Sequence, residues 1–235
     1  MFENKSPFLF VPRLVAVPGL VHGFGDARWS EADFLAFAAS RGLQPVVMNQ
    51  VHADTVHRLD AAPAGKPDGD ALMTNVPGLL LVVRTADCLP VLLVDPENRA
   101  VAAVHCGWRG TEMRILEKAV RAMGEAYGSK PADMLAALGP CIGAACYEVG
   151  PEVREGFLRA GFPESVLCGA PGRQGKYILD LRAANLGLLA ASGFQKSRIS
   201  NPGPACTHCE PRLLSYRRNP ADPRRMYNFI GLTSF

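Results

Sequence analysis

Three side chains in the first half of this 235-residue sequence have the chemistry of zinc ligands: His52, Cys88 and His105. Thiolate and imidazole are good zinc donors, and a catalytic zinc keeps one coordination position open for water or substrate. The spacing forms no compact motif, so each residue is also compatible with a buried structural role. Cys88 and His105 permit a second chemistry as well, in which the thiol is a nucleophile and the imidazole is its base.

The segments on either side of residues 96–99 predict how two of these side chains meet. Both segments are apolar and of strand length, and Pro-Glu-Asn-Arg between them is a short turn-rich loop, which favours an antiparallel hairpin. If Asp95 faces Ala100, counting outward brings Cys88 and His105 to the same open end of the hairpin. A slip in register of one or two residues leaves this result unchanged. We therefore expect Cys88 and His105 to lie close together.

Asn49 and Gln50 place two side-chain amides just before His52, at the end of a strand predicted over residues 45–51. Because side chains alternate along a strand, we expect Gln50 and His52 on one side and Asn49 on the other. We interpret both amides as candidate substrate-binding groups.

The sequence His-Cys-Gly-Trp-Arg-Gly-Thr over residues 105–111 joins a predicted strand to a predicted helix. Its glycines allow backbone amides to approach a ligand, and a helix N-terminus favours an anion. Arg109 adds a planar guanidinium whose N–H donors can bind two oxygens of a phosphate or carboxylate at once. The segment is no P-loop, which would end in Lys-Ser/Thr. We predict an anion-binding loop here, with Trp108 either stacking on a substrate ring or covering the core.

Charge and composition indicate a globular protein without a nucleic-acid or membrane partner. The formal net charge is only +3, and Arg224 and Arg225 are more typical of a solvated edge than of a nucleic-acid footprint. No stretch approaches the roughly 20 apolar residues of a membrane span, and the proline-broken N-terminal segment does not resemble a secretory signal. We expect a cytoplasmic protein that is a monomer or a homodimer.

The seven cysteines are an odd number, which favours buried or metal-bound thiols over a disulfide framework. Cys206-Thr207-His208-Cys209 resembles half of a zinc knuckle or a redox pair, but no second Cys-x-x-Cys accompanies it. We interpret it as a local structural thiol pair, and Cys141 and Cys146 as packing residues beside a turn.

The order of elements predicts a mixed α/β or α+β fold in a single domain over residues 1–235. Pro and Gly punctuate the whole chain, which argues against a helical bundle. Thr111 is expected to cap the helix that follows the anion-binding loop, and Gly128 to end it. The other elements are helices over 31–41, 112–127, 152–160 and 181–192, and strands over 45–51, 79–83, 134–138, 213–217 and 226–232.

Several segments together resemble one family, the YfiH-type proteins, also called laccase-domain, polyphenol oxidase or peptidoglycan-editing-factor proteins. The match runs in family order from residue 45 onward, and the combination TADCLP plus HxGWRG is highly specific. The matching segments are NQVHADTV from Asn49, GDALMT from Gly69, VVRTADCLPVLLVD from Val82, VAAVHCGWRGT from Val101, LGPCIGAACYEVGPEV from Leu138, KYILDL from Lys176 and LLSYRR from Leu213.

The resemblance implies a zinc site at the same three residues, the histidine of QVH, the cysteine of ADC and the histidine of HxGWRG, with copper as the alternative metal. It implies a fold with mixed β-sheets flanked by helices, similar to the cytotoxic necrotizing factor cysteine-hydrolase domain. Family members are linked to purine nucleoside phosphorolysis, adenosine deamination, methylthioadenosine cleavage, editing of cell-wall precursors and copper-dependent phenol oxidation.

One departure from the family follows Val21-His22-Gly23-Phe24. The family usually carries a TR-x-GG-x-S stretch and an SLNLG-like segment there, whereas this chain continues directly with residues 25–30, GDARWS. The family's arginine and serine are absent or displaced. If they hold phosphate or nucleoside, we expect a different substrate or a slower turnover.

A zinc-dependent enzyme acting on purine nucleosides and phosphate fits these features best. A zinc-activated water can attack C6 of adenine, whereas phosphorolysis needs an anion cradle, for which the Arg109 loop is a candidate. Asp87 is interpreted either as an acid/base or ligand-orienting group, or as a turn cap. Tyr216 and Arg217 are expected on the ribose or phosphate side of the substrate.

Three other functions remain open. A cysteine-type amidase would use Cys88 as nucleophile and His105 as base on a peptidoglycan precursor. Metal occupancy distinguishes the amidase from the zinc enzyme, because a zinc-ligated thiolate is a poor nucleophile. A copper-dependent polyphenol oxidoreductase fits less well, since five histidines without a His-x-His pair do not supply a conventional multicopper cluster. A purely structural zinc would need a fourth protein ligand, for which Cys106 and His208 are the obvious candidates.

Overall fold

The computed structural model describes residues 7–200 and 206–234. Its strands are β1 (Phe8–Leu9), β2 (Leu20–Gly25), β3 (Gln44–Val47), β4 (Val56–Arg58), β5 (Ala71–Thr74), β6 (Leu79–Thr85), β7 (Leu89–Asp95), β8 (Ala100–Cys106), β9 (Leu135–Leu138), β10 (Glu148–Val149), β11 (Leu167–Gly169), β12 (Tyr177–Leu179), β13 (Ile199–Ser200) and β14 (Met226–Leu232). Its α-helices are α1 (Pro12–Val15), α2 (Glu31–Ala39), α3 (Trp108–Glu112), α4 (Ile115–Tyr127), α5 (Pro151–Arg159) and α6 (Leu181–Ala191). Within the described ranges, no helix is long and apolar enough to cross a membrane.

Two mixed sheets pack face to face at the centre of the molecule. One has the strand order β1-β2-β14-β6-β3 and the other the order β13-β9-β7-β8-β5-β4. Leu81 and Ile230 of the first sheet share a buried cluster with Leu92 and Ala103 of the second. A third, antiparallel sheet has the order β10-β12-β11.

Helices cover the two outer faces of this pair of sheets. Ser30 and Asp33 form a capping box that begins α2, and the helix packs Phe34 against Phe229 of the first sheet. On the other side, Leu116 of α4 and Phe157 of α5 belong to the cluster that covers the second sheet, together with apolar residues of α6. The layers are therefore helix, sheet, sheet and helices, and the mixed α and β class predicted from the sequence is confirmed.

Strands β7 and β8 form the hairpin that the sequence predicts. Asp95 pairs with Ala100 and Pro90 pairs with His105, so the register obtained by counting is confirmed without a slip. Every residue of both strands is buried. One face of these strands meets the other central sheet and the opposite face meets the helices, which explains their continuous rather than alternating apolar runs.

The helix predicted over 112–127 is divided into two. Arg114 adopts a left-handed backbone, with φ of 63°, between α3 and α4, and α4 ends at Gly128 as predicted. The prediction that Thr111 caps the helix is wrong, because α3 begins earlier, after Gly107. The buried Thr111 hydroxyl instead accepts a hydrogen bond of 3.0 Å from the Asn185 side chain.

Two predicted strands also need correction. Residues 213–217 form a bend and a turn instead of a strand: the Leu213 N–H donates to the Glu210 carbonyl, and the Arg217 N–H donates to the Asp87 side chain. The strand predicted over 45–51 ends at Val47. Asn49 adds only an isolated bridge to Asp68, after which the chain turns.

His22 lies in the middle of β2 with only 2% of its surface exposed. Its Nε2 accepts a hydrogen bond of 2.9 Å from the Val11 amide, which requires that this nitrogen be unprotonated. Burial lowers the pKa of His22 to about 4. The folded protein therefore holds this imidazole neutral at pH values where a solvated histidine is already charged.

We predict that this histidine makes the protein less stable in mild acid. Because the folded pKa lies below the unfolded value of 6.5, only the unfolded chain gains the proton as the pH falls from about 6.5 toward 4. Between pH 7 and pH 5 the His22 contribution should cost about 2 kcal/mol of the free energy of unfolding. Denaturant unfolding of the wild type and of His22→Gln at the two pH values measures it. Equal pH dependence of the two proteins would contradict the prediction.

Candidate metal centre

The structure brings the three predicted zinc ligands together at one end of the β7–β8 hairpin. His52 comes from the loop after β3, Cys88 from the connection between β6 and β7, and His105 from the end of β8. One donor atom from each lies within 4.8 Å of the others. Cys88 Sγ is 4.0 Å from His52 Nε2, and the two imidazole rings meet edge to face with centroids 4.9 Å apart. We call these three residues the metal trio.

Asp70 holds two members of the metal trio in place. Its side chain is fully buried, and its carboxylate accepts hydrogen bonds from the backbone amides of Val51, His52 and Ala53 at 3.3, 3.1 and 2.7 Å. The same carboxylate lies 2.7 Å from His105 Nδ1, and the Asp70 carbonyl accepts the His105 amide at 2.7 Å. With Nδ1 facing the carboxylate, His105 has Nε2 left for a metal, which is the usual arrangement of metal-binding histidines.

Two residues of the centre have a backbone that L-amino acids adopt rarely. His52 has φ of 58° and Asp87 has φ of 97°. Such residues persist only where contacts over-determine them, and they cluster at functional sites. The Asp70 carboxylate supplies these contacts around His52. Asp87 accepts hydrogen bonds from the Thr207 hydroxyl at 2.6 Å and the Arg217 amide at 2.7 Å.

The metal trio fits a zinc ion on three observations. Gly107 leaves room between the ligands, since a Cβ there would lie 3.1 Å from the His52 ring and 3.3 Å from Cys88 Sγ. The distance between Cys88 Sγ and His52 Nε2 is 4.0 Å. This is close to the ~3.6 Å that separates a sulfur and a nitrogen atom when both bind one tetrahedral zinc. The described residues offer no fourth histidine, cysteine or carboxylate donor within this group, which suits a centre with one position open.

The two spare ligands considered from the sequence lie elsewhere. Cys106 is fully buried in the core between the second sheet and the helices, as alternation along β8 requires. Burial raises the pKa of its thiol well above the usual value. His208 belongs to a different group, with Cys146 and Cys209.

Charges in the centre favour the ligand form of Cys88. Burial opposes ionisation of this thiol, but His105 and His52 outweigh it and lower the pKa of Cys88. Burial likewise opposes protonation of His105, and the Cys88 thiolate and the Asp70 carboxylate outweigh it and raise the pKa of the imidazole. A thiolate is the form of cysteine that binds a metal or attacks an electrophile.

One cavity of about 510 Å³ joins the metal trio to all the residues predicted to bind substrate. Asn49 donates to Asp68 at 2.8 Å, and the Gln50 amide bonds to both backbone groups of Arg84 at 2.8 and 2.9 Å. These two side-chain amides therefore also stabilise the segments that line the cavity. The predicted residues in the lining are Asn49, Gln50, Asp87, Arg109, Tyr216 and Arg217.

Among the residues that line this cavity, sequence reasoning missed the charged and aromatic side chains of Arg84, Tyr147 and Arg225. Arg84 is half-buried, and its Nε has no hydrogen-bond partner among the described residues. A charged residue within an otherwise apolar strand was the signal that could have identified it. Arg225 was interpreted as part of a solvated edge; this is wrong, because the residue is half-buried against the cavity.

The chain resembles known proteins over most of its length. Residues 30–233 match the family described as multi-copper polyphenol oxidoreductase laccase. A purine nucleoside phosphorylase of Deinococcus radiodurans is 41% identical over 79% of this chain and 69% of that protein. Adenosine deaminase RL5, from an unknown prokaryotic organism, is 39% identical over 65% of this chain and 57% of that protein.

A solved structure shares the fold. The crystal structure of YlmD from Geobacillus stearothermophilus superposes with a TM-score of 0.87 and 28% sequence identity, over 99% of this chain and 98% of that chain. The predicted likeness to the cytotoxic necrotizing factor domain stays a prediction.

We predict that Asp70→Asn weakens zinc binding by roughly 10- to 100-fold, because an amide cannot supply the charged acceptor that orients His105. His52→Ala, Cys88→Ala and His105→Ala should each remove one equivalent of zinc altogether. Chelator competition measures the affinity, and elemental analysis of the desalted proteins measures the stoichiometry.

Asp60→Asn is the matched control, because Asp60 is an exposed carboxylate paired with Arg58 at the surface. It should bind zinc as the wild type does. Unchanged affinity in Asp70→Asn, or full zinc retention in Cys88→Ala, would refute the assignment of these residues.

Proposed function

The chain belongs to the laccase-domain family of YfiH- and YlmD-type proteins, and on that premise we propose that it is a zinc-dependent purine nucleoside enzyme. The proposed reactions are phosphorolysis of adenosine, inosine or methylthioadenosine and deamination of adenosine. Purine nucleosides and phosphate would be its partners, in the cytoplasm. Relatives that carry the names of a purine nucleoside phosphorylase and of an adenosine deaminase support this class of substrate.

One observation carries the proposal: the cavity that contains the metal trio is also lined by four arginines. Arg84, Arg109, Arg217 and Arg225 face it, whereas Asp87 is its one carboxylate among the described lining residues. A volume of about 510 Å³ lies within the range of small-molecule sites. An excess of guanidinium groups beside a metal centre suits a substrate pair of which one member is an anion such as phosphate.

Arg84 and Arg109 have donors free to bind that anion. The buried Nε of Arg84 lacks a partner among the described residues, and a buried unpaired donor is costly unless a ligand satisfies it. Arg109 is exposed, and its guanidinium stacks over the Trp108 ring at 4.3 Å, which fixes its plane without using its N–H groups. Arg109 also follows Gly107, at the N-terminal turn of α3.

Aromatic side chains in the cavity provide surfaces for a purine. Trp108 and Tyr147 are half-buried in the lining, and Tyr216 stands at the rim with 53% of its surface exposed. Burial raises the pKa of the Tyr147 hydroxyl far above the usual value, so this phenol stays neutral. Flat apolar rings with neutral polar tips suit stacking with a nucleobase.

When bound, zinc would supply Lewis acidity and an activated water for deamination. The protein's own groups would do the rest: the arginines bind phosphate next to the ribose, and the rings orient the purine. Asp87 is a positioning residue in this scheme, because its two oxygens already accept the Thr207 hydroxyl and the Arg217 amide. Its proposed role as an acid/base would need one of these bonds to be exchanged for substrate.

The shortened segment after Phe24 contributes nothing to the cavity lining. Arg28, the arginine of this segment, forms an ion pair with Asp26 at 2.6 Å and does not belong to the lining residues. This supports the expectation of a slow turnover.

The cysteine-type amidase is the second candidate, and the charge pairing of Cys88 with His105 favours it. A lowered thiol pKa beside an imidazole is the usual activation of a cysteine nucleophile. The two candidates differ in what occupies Cys88: zinc in the first, and an acyl group in the second.

We predict that the zinc-loaded protein converts adenosine and phosphate into adenine and ribose-1-phosphate, into inosine, or into both. Chromatography of long incubations, with a metal-free sample as the control, detects the products. Cys88→Ser should impair both reactions because it disturbs the metal. If the wild type leaves purine nucleosides unchanged but has an amidase activity that alkylation of Cys88 abolishes, the proposal is wrong. The cysteine-type amidase would then replace it.

We further predict that Arg109→Ala slows phosphorolysis more than deamination, because only phosphorolysis must bind a second anion. Loss of one charge-assisted contact of about 1.5–3 kcal/mol corresponds to a decrease in kcat/KM on the order of ten- to a hundredfold. Arg121→Ala is the control, since Arg121 is an exposed residue of α4 outside the cavity. Equal losses in both reactions would show that Arg109 does not serve the phosphate.

A further inference from the structure

A second group of metal-binding side chains lies outside the metal trio. Cys146 ends a short 3-10 turn, and His208 and Cys209 belong to the turn formed by residues 206–209. One donor atom from each lies within 4.8 Å of the others, and the two sulfur atoms are 3.4 Å apart. Cys146 and Cys209 are both free thiols. The sequence predicts a local thiol pair here and treats Cys146 as a packing residue; the fold adds Cys146 to it.

Cys206 lies next to this group, although its sulfur is not among the donors that meet within 4.8 Å. Its thiol interacts with those of Cys146 and Cys209. The Gly143 amide donates a hydrogen bond to Cys206 Sγ at 3.1 Å, and the Cys209 amide donates to the Cys206 carbonyl at 3.1 Å. A backbone N–H that donates to a cysteine sulfur favours the thiolate, which is the form of cysteine that binds a metal. Gly143 allows this approach, because a Cβ there would lie 3.2 Å from Cys206 Sγ.

We propose that Cys146, Cys206, His208 and Cys209, the thiol cluster, bind a structural zinc ion. Three thiolates and one imidazole are a common set of ligands for structural zinc, and four protein ligands leave no open position. Two sulfurs bound to one tetrahedral zinc lie about 3.8 Å apart, since each zinc–sulfur bond is about 2.3 Å. The separation of 3.4 Å between Cys146 and Cys209 is close to this value.

The ion would fasten a long segment that lacks regular structure. Residues 206–225 contain no helix or strand, yet they form one wall of the substrate cavity. Segments of this length without secondary structure are uncommon in compact domains unless something fixes them. Thr207 lies between Cys206 and His208 in the sequence, and its hydroxyl donates to Asp87 at 2.6 Å. Asp87 in turn directly precedes Cys88 of the metal trio. The thiol cluster is thus a cross-link behind the cavity wall.

Counting zinc tests the proposal. Protein purified without oxygen, supplied with zinc and desalted should contain about two zinc ions per chain. Cys146→Ser and Cys209→Ser should each contain about one, His52→Ala should contain about one, and the double variant His52→Ala/Cys209→Ser almost none. Cys168→Ser is the matched control, because Cys168 is an exposed free thiol outside both groups, and it should keep both ions.

A second measurement uses the wild type alone and so does not depend on how the variants fold. Alkylation followed by peptide mapping should label Cys146 and Cys209 slowly until a chelator removes the metal, whereas Cys168 should react at the same rate throughout. Chelator-independent labelling, equal zinc in Cys209→Ser and wild type, a Cys146–Cys209 disulfide in the anaerobic protein, or copper in place of zinc would each overturn the proposal. None of these readouts depends on whether the protein acts on nucleosides.

Discussion

The carboxylate of Asp70 is the group on which the candidate centre depends. It is fully buried, it accepts the amides of three consecutive residues around His52, and it faces the ring of His105. One side chain therefore fixes both a loop and a strand, and each of them carries a ligand. A buried charge is tolerated only when hydrogen bonds satisfy it, and here every contact that stabilises the carboxylate also orients the centre.

The strained residues of the site follow from the same constraint. A left-handed backbone at a residue with a side chain costs on the order of 1–3 kcal/mol, which the surrounding contacts must offset. His52 has its amide bound to Asp70, and Asp87 binds Thr207 and Arg217 through its own carboxylate. Two buried acids thus fix the two sides of the cavity. Asp70 acts through His105 of the β7–β8 hairpin, and Asp87 acts through the segment that carries the thiol cluster.

The arginines give the cavity its chemical character, and the metal decides between the candidate reactions. Guanidinium groups of Arg84 and Arg109 keep donors available, and the Trp108 ring holds the Arg109 guanidinium without neutralising it. The pairing of Cys88 with His105 would serve a nucleophile as well as a zinc ligand. A metal bound to the thiolate removes the first possibility, so the occupancy of one sulfur atom separates a nucleoside enzyme from an amidase.

The sequence by itself determined the β7–β8 hairpin, its register, and hence the approach of Cys88 to His105, because pairing across a four-residue loop is a local property. It also predicted the four longest α-helices and six of the fourteen strands of the described residues from their apolar spacing. Only the tertiary structure revealed the role of Asp70, 18 residues from the His52 amide it accepts, and the meeting of Cys146 with Cys209 across 63 residues. The predicted strand over 213–217 failed for the same reason, since the Arg217 amide bonds to Asp87, 130 residues earlier. Contacts between distant segments depend on how complete sheets and helices pack, and no local spacing of residues encodes them.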